Sequence, residues 1–276
     1  MWTFINGDWV EAAKASVHVS DLAIQRGYGV FDFFRTVNHK PLFIDDHLAR
    51  LKQSASILRL SLPYTLDALK QIILELINRN QLATSGIRIT VTGGYAADTY
   101  SISTPNIIIT QAPLTMDDVF DEKKSIRLIT EEYVRELPTV KSINYLMGVY
   151  LQQKVKDAGA DDVLYVKDSC ISELPRSNVF VVTHNNELLT ADTNVLHGIT
   201  RKHILQLASS FLKVKEQPVH IEDVLQAKEV FVSSTTKRLL QVHSVNGNSI
   251  ANGKPGNVTQ QLYQLFLQLE QNNTLQ

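Results

Sequence analysis

One cysteine, Cys170, stands in 276 residues. It excludes an internal disulfide framework and any zinc site built on several thiolates. Basic excess is also missing, with 27 Lys plus Arg against 28 Asp plus Glu and a formal net charge of −1. A chain without that excess has little with which to neutralise a run of phosphates, so no nucleic-acid partner is expected. No apolar stretch approaches the ~20 residues that cross a bilayer, so no membrane partner is expected either. The start, Met1-Trp2-Thr3-Phe4, shows no basic segment followed by an apolar one. A soluble, cytoplasmic protein is the expectation.

Generic chemical motifs are missing as well. There is no Gly-x-Gly-x-x-Gly and no Gly-x-Ser-x-Gly, and Thr92-Gly93-Gly94 lacks the lysine of a phosphate-binding loop. The histidines at 18, 39, 47, 184, 197, 203, 220 and 243 include no i, i+4 pair, and no metal is expected. Asp45-Asp46-His47 reads as a helix start whose acids complement the dipole.

What is present is a 44% apolar chain with clear periodicities. Thr3-Phe4-Ile5 and Asp8-Trp9-Val10 around Asn6-Gly7 predict a tight hairpin. Phe33 to Val37 and Pro41 to Ile44 flank Asn38-His39-Lys40 in the same way. Leu48, Leu51, Ala55 and Leu58 predict a helix opening near Asp45, and Leu66 through Ile77 a second one. Strands are expected at Ile87 to Thr92 and Asn106 to Thr110. Residues 1–111 thus form a small α+β domain, and 112–119, with Pro113 and Asp117-Asp118, a linker. Residues 120–276 form a larger β-rich domain. It has a strand at Ser125 to Thr130 and a helix over Ile143 to Ala158 stopped by Gly159. A meander is expected over 163–190, then a helix at Thr200 to Leu212, a strand at Glu229 to Val232 and a closing helix at Val258 to Leu269, frayed from Gln268.

Four segments carry chemistry when taken together. Lys141, between Val140 and Ser142-Ile143, is a lysine among apolar neighbours; partial desolvation lowers such an amine's pKa and lets it form a Schiff base with an aldehyde. Glu173 lies in a turn leading into the apolar Asn178 to Phe180, able to hold a protonated ring nitrogen. Leu196-His197-Gly198-Ile199-Thr200 precedes a helix whose first amides could bind a phosphate. Ser233-Ser234-Thr235-Thr236 sets hydroxyls in a row after an apolar strand.

In this order, and with Arg26 to Asp32 and His47-Leu48-Ala49-Arg50-Leu51, these segments resemble the class IV (fold-type IV) aminotransferases along nearly the whole chain. That family holds branched-chain and D-amino acid aminotransferases and 4-amino-4-deoxychorismate lyases. The resemblance implies a two-domain α+β fold, pyridoxal 5′-phosphate in the cleft between the domains, and a homodimer in which the loop around Tyr95 to Ser103 reaches the partner's site. It implies that Lys141 joins the coenzyme's aldehyde and later moves the proton, and that Glu173 faces the pyridine nitrogen. Arg50, Gly198, Ile199, Thr200, Thr235 and Ser234 would hold the phosphate, and Leu196 would pack on the ring.

Around the substrate the resemblance places Phe31, Phe33 and Thr236. Where D-amino acid enzymes carry a carboxylate-binding arginine this chain has Gly93, and the Tyr-x-Arg of branched-chain enzymes is missing; Arg88 and Arg176 are the replacements considered. Phe31 and Phe33 fall on one strand face, where their bulk narrows a pocket. The expected activity is exchange of an amino group between an amino acid, branched-chain-like or D, and a 2-oxo acid. The alternative is the lyase, which releases pyruvate and 4-aminobenzoate.

Overall fold

The computed structural model describes residues 1–116, 119–251 and 256–275. They divide into two compact units. The first comprises Met1–Met116, Val140–Asn144 and the chain end from Asn272; the second holds the remainder. Of the expected linker, Ala112 and Pro113 lie within a strand, while Asp117 and Asp118 lie outside the described residues.

In the first unit the chain forms β1 (Trp2–Ile5), β2 (Asp8–Glu11), α1 (Leu22–Arg26), β3 (Gly29–Val37), β4 (Lys40–Pro41), α2 (Ile44–Ile57), α3 (Leu66–Asn80), β5 (Ser85–Thr92) and β6 (Ile107–Pro113). The strands make one antiparallel sheet in the order β2-β1-β6-β5-β3-β4. Asn6 and Gly7 take the positive φ angles, 50° and 107°, that close the β1–β2 hairpin. The β3–β4 turn is shorter than expected: Val37 already pairs with Lys40, so only Asn38 and His39 turn, both at positive φ, and Ile44 opens α2 instead of ending a strand. Strand alternation then sorts β3. Val30 and Phe34 join Ile87, Ile89 and Val91 in a core closed by Leu48, Leu51 and Ala55 of α2 and Leu69, Ile73 and Leu76 of α3. Asp32 shares that inward face, while Phe31 and Phe33 take the opposite one.

In the second unit lie β7 (Ser125–Glu132), α4 (Leu146–Tyr150), α5 (Gln152–Asp157), β8 (Asp162–Lys167), β9 (Cys170–Ile171), β10 (Glu173–Leu174), β11 (Ser177–Val182), β12 (Glu187–Thr190), α6 (Ile199–Ala208), β13 (Lys213–Glu216), α7 (Ile221–Leu225), β14 (Glu229–Ser234), β15 (Arg238–Val245), β16 (Asn248–Ser249) and α8, which runs Asn257–Leu275. Its sheet is mixed, in the order β13-β12-β11-β14-β15-β7-β8-β9, with β10 paired to β11 and β16 to β15. The expected meander holds only for the β11–β12 hairpin; β8 runs parallel to β7 instead. The single helix expected over 143–158 is two short ones starting at Leu146, because Ile143 is tied to Gly29 of β3 by its backbone N–H. The closing helix does not fray at Gln268: it continues to Leu275, and buried Glu270 pairs with Arg238 Nε at 2.7 Å.

Candidate active site

Residues 141–143 lie along the N-terminal end of β3, where β4 does not reach. The Phe31 N–H donates to the Lys141 carbonyl at 2.9 Å, Ser142 bridges Val30, and the Lys141 N–H donates to Ser54 Oγ of α2 at 3.2 Å. The lysine backbone is therefore fixed by both a strand and a helix. Its Nζ lies 4.6 Å from the centre of the Phe31 ring, and the Arg88 guanidinium lies 3.8 Å from the same ring. Arg88 sits on β5 opposite Phe33 and is exposed, on a strand whose other members are buried or half-buried. Phe33 leans over Gly86, where a β-carbon would collide with its ring. Lys141, Phe31 and Arg88 are thus brought together on the sheet face opposite α2 and α3.

The inward face of β3 carries a buried charge cluster that composition and periodicity did not reveal. Asp32 has no exposed surface. It accepts hydrogen bonds from Arg50 Nε and Nη2, both at 2.8 Å, from His47 Nδ1 at 2.6 Å and from the Phe33 N–H at 2.8 Å. His47 and Arg50 are three residues apart on α2, so they share a face. Burial would raise the Asp32 carboxyl, but the charges and hydrogen bonds of Arg50 and His47 outweigh it and hold the group well below the usual carboxylate range. Burial pushes the His47 imidazole down despite Asp32 beside it, and the charges of Arg50 and Lys141 push the same way. One signal was available: an aspartate in the apolar run Phe31-Asp32-Phe33-Phe34 must find a buried partner.

In the second unit, Glu173 is 4% exposed at the head of β10, register partner of Asn178 on β11. Arg135 Nε donates to Glu173 Oε1 at 2.7 Å, and the Leu196 N–H donates to Oε2 at 3.0 Å. Asn178 Nδ2 donates to the Leu196 carbonyl at 2.8 Å. Gly198 caps α6, and a β-carbon there would run into Asn178 Oδ1, so the loop needs glycine. The Gly198 cap offers no side chain to the first amides of this helix, whose opening residues Ile199 and Thr200 are buried. Ser233, opposite Asn178 in the sheet, carries a buried hydroxyl with no hydrogen-bond partner among the described residues. Ser234, Thr235 and Thr236 follow at the end of β14 and in its turn. Arg176 lines a surface cavity of about 620 Å³ with Tyr145, Gly148, Gln152 and Lys156. Arg135 and Asn178 are site neighbours that no spacing in the sequence announces.

Comparison with known proteins decides the family. Residues 29–245 match the family model described as amino-transferase class IV. The chain belongs to the class IV aminotransferases. A D-alanine aminotransferase of Bacillus licheniformis is 31% identical, over 94% of this chain and 93% of its own. A putative branched-chain-amino-acid aminotransferase of Methanocaldococcus jannaschii is 30% identical, over 96% and 95%. Among solved structures, the branched-chain amino acid aminotransferase from Escherichia coli superposes with a TM-score of 0.87 at 27% identity, covering 98% of this chain and 94% of its own. A T.th. branched-chain amino acid aminotransferase solved with pyridoxamine 5′-phosphate reaches 0.91 at 22% identity, covering 99% and 94%. The fold class read from the sequence is therefore that of these enzymes.

Class IV aminotransferases work with pyridoxal 5′-phosphate. The residues of this chain suit it: a helix start behind a glycine for a phosphate, a buried carboxylate for a ring nitrogen, an orphaned buried hydroxyl in the same sheet, and a half-buried lysine for the aldehyde. Among the described residues no group of His, Cys, Asp and Glu could hold a metal ion, and no helix is long and apolar enough to cross a membrane.

Proposed function

We propose that this class IV aminotransferase moves the amino group of a small amino acid to a 2-oxo acid, with Lys141 as the proton-moving base and Arg88 as the holder of the substrate's α-carboxylate. The observation that carries the reading is the Phe31 ring with the Lys141 amine on it at 4.6 Å and the Arg88 guanidinium at 3.8 Å. An α-amino acid presents its acidic proton one bond from its carboxylate, so a base and a carboxylate-binding cation must stand close together. Arg88 offers a planar fork that matches a carboxylate.

When bound, pyridoxal 5′-phosphate supplies an aldehyde that takes the amino group and a ring that delocalises the electrons left by the departing α-proton. This chain supplies the rest. Arg50, with its guanidinium aligned by Asp32, binds the phosphate, as do the amides of Ile199 and Thr200 behind Gly198 and the hydroxyls of Thr235 and Ser234. Glu173 accepts a hydrogen bond from the protonated ring nitrogen, and Leu196 packs on the ring. Lys141 Nζ would take the substrate's α-proton and hold it for return. Phe31 and Phe33 narrow the substrate face, with Thr236 at its margin, which favours a small side chain. The homodimer implied by the resemblance and a cytoplasmic place of action complete the proposal.

Aminotransferases of D-alanine and of branched-chain amino acids are both named among the relatives, which favours transamination over the lyase alternative. A screen of L- and D-amino acids in the half-reaction, followed by loss of the coenzyme's aldehyde absorbance, tests the reading. Bleaching by small amino acids of one configuration, with turnover dependent on added 2-oxo acid, is expected. Pyruvate release from 4-amino-4-deoxychorismate without an oxo acid would replace it with the lyase.

A further inference from the structure

The acid assigned to the ring nitrogen is itself held by a second charged residue. Arg135 follows β7 and is largely buried, with 16% of its side chain exposed against 5% for Glu173. Its Nε and Nη2 both reach Glu173 Oε1, at 2.7 and 2.6 Å. Nη2 also donates to the Pro138 carbonyl at 2.6 Å, three residues before Lys141 in the chain. The other carboxylate oxygen takes the Leu196 N–H. Both oxygens of Glu173 thus receive N–H donors, which hold the carboxylate in place.

A buried ion pair of this kind does little for stability, because replacing both partners with packed apolar groups is often neutral or stabilising. What it does secure is the direction in which the carboxylate points, through charge-assisted hydrogen bonds in a low-dielectric setting. We propose that Arg135 is a positioning residue for the reaction: it holds the Glu173 carboxylate in the orientation that meets the ring nitrogen, while its bond to Pro138 fixes the segment that leads to Lys141. This rests on the reading of Glu173 given above. Arg135 acts through Glu173 and touches no reacting atom.

Three variants test it: R135Q, R135K and R135Q/E173Q, with E173Q as reference. Two readouts are used, the half-reaction rate of the holoenzyme and the dissociation constant of pyridoxal 5′-phosphate from apoprotein, followed by tryptophan quenching. R135Q should slow the half-reaction about thirtyfold or more and weaken coenzyme binding no more than E173Q does, and R135K, which keeps the charge but loses the fork, should recover only part of the lost rate. In the E173Q background the same change should slow the reaction less than about threefold, since residues acting as a unit are not additive. Wild-type behaviour of R135Q, losses that multiply in the double variant, or R135K as impaired as R135Q would each overturn the proposal. Should R135Q fail to fold, R135K decides: slower than wild type but harmless with E173Q supports it, and identity with wild type overturns it. Wild-type behaviour of E173Q alone would instead defeat the assignment of Glu173.

Discussion

Replacing Asp32 by Asn probes the arginine assigned to the phosphate. The substitution conserves shape but removes the charge that faces Arg50 and His47, and it turns one acceptor into a donor aimed at donors. The Arg50 side chain is 10% exposed and Asp32 is fully buried, so water cannot replace the lost partner. Breaking a buried pair by removing one member costs about 3–5 kcal/mol. At about 2–4 °C per kcal/mol for a chain of this size, the melting temperature should fall by about 6–20 °C. Freed from Asp32, the guanidinium loses its fixed direction, and affinity for pyridoxal 5′-phosphate should drop about tenfold, or 1.4 kcal/mol. Differential scanning calorimetry of apoprotein measures the first quantity and fluorescence titration the second. With R50Q the losses should be strongly non-additive, with a coupling of about 2–3 kcal/mol. A D32N protein melting within about 1 °C of wild type, or additive losses in D32N/R50Q, would refute the reasoning.

Three other outcomes are expected. E173Q should keep coenzyme binding within a few-fold yet slow the half-reaction about a hundredfold or more, measured by stopped-flow; an unchanged rate removes the role given to Glu173. Gly198→Ala drives a β-carbon into Asn178 Oδ1, so it should destabilise by about 1–3 kcal/mol and weaken binding of the coenzyme phosphate; calorimetry and the same titration measure both. Stability should also fall on the acid side because of His47. Burial holds its folded pKa below the ordinary 6.5, so the unfolded chain binds the extra proton first. The stabilisation is complete above that value and is lost as the pH falls through it toward the folded pKa. Asp32 adds a loss of the same sign below its ordinary 3.8. Melting temperatures of wild type and H47Q between pH 7 and 5 check this, and equal slopes would contradict it.

The sequence was informative where one local pattern decided one local structure. The apolar spacing of Leu48, Leu51 and Ala55 named the buried side of α2, and Asn6-Gly7 named a hairpin. It was uninformative where a distant partner decided. The expected helix at Ile143 starts at Leu146 because residues 142 and 143 are taken up by β3, more than a hundred positions earlier. The strand β15 went unread because Arg238 and Gln241 interrupt its apolar pattern; both are buried, with Glu270 and the Gly256 N–H as partners. Candidate site residues came from family-like motifs one at a time, so Lys141, Arg50 and Glu173 were named. Their neighbours Asp32 and Arg135 were not, since Arg135 meets Glu173 across 38 positions. The meeting of both Arg88 and Lys141 with the Phe31 ring is likewise a product of folding.

The central claim is that the Lys141 amine is the group that joins the coenzyme. Reducing the holoenzyme with borohydride and mapping the peptides tests it directly. The account predicts a phosphopyridoxyl mass on the peptide carrying Lys141. The same mass on a peptide bearing another lysine, or none after reconstitution with pyridoxal 5′-phosphate, would contradict it.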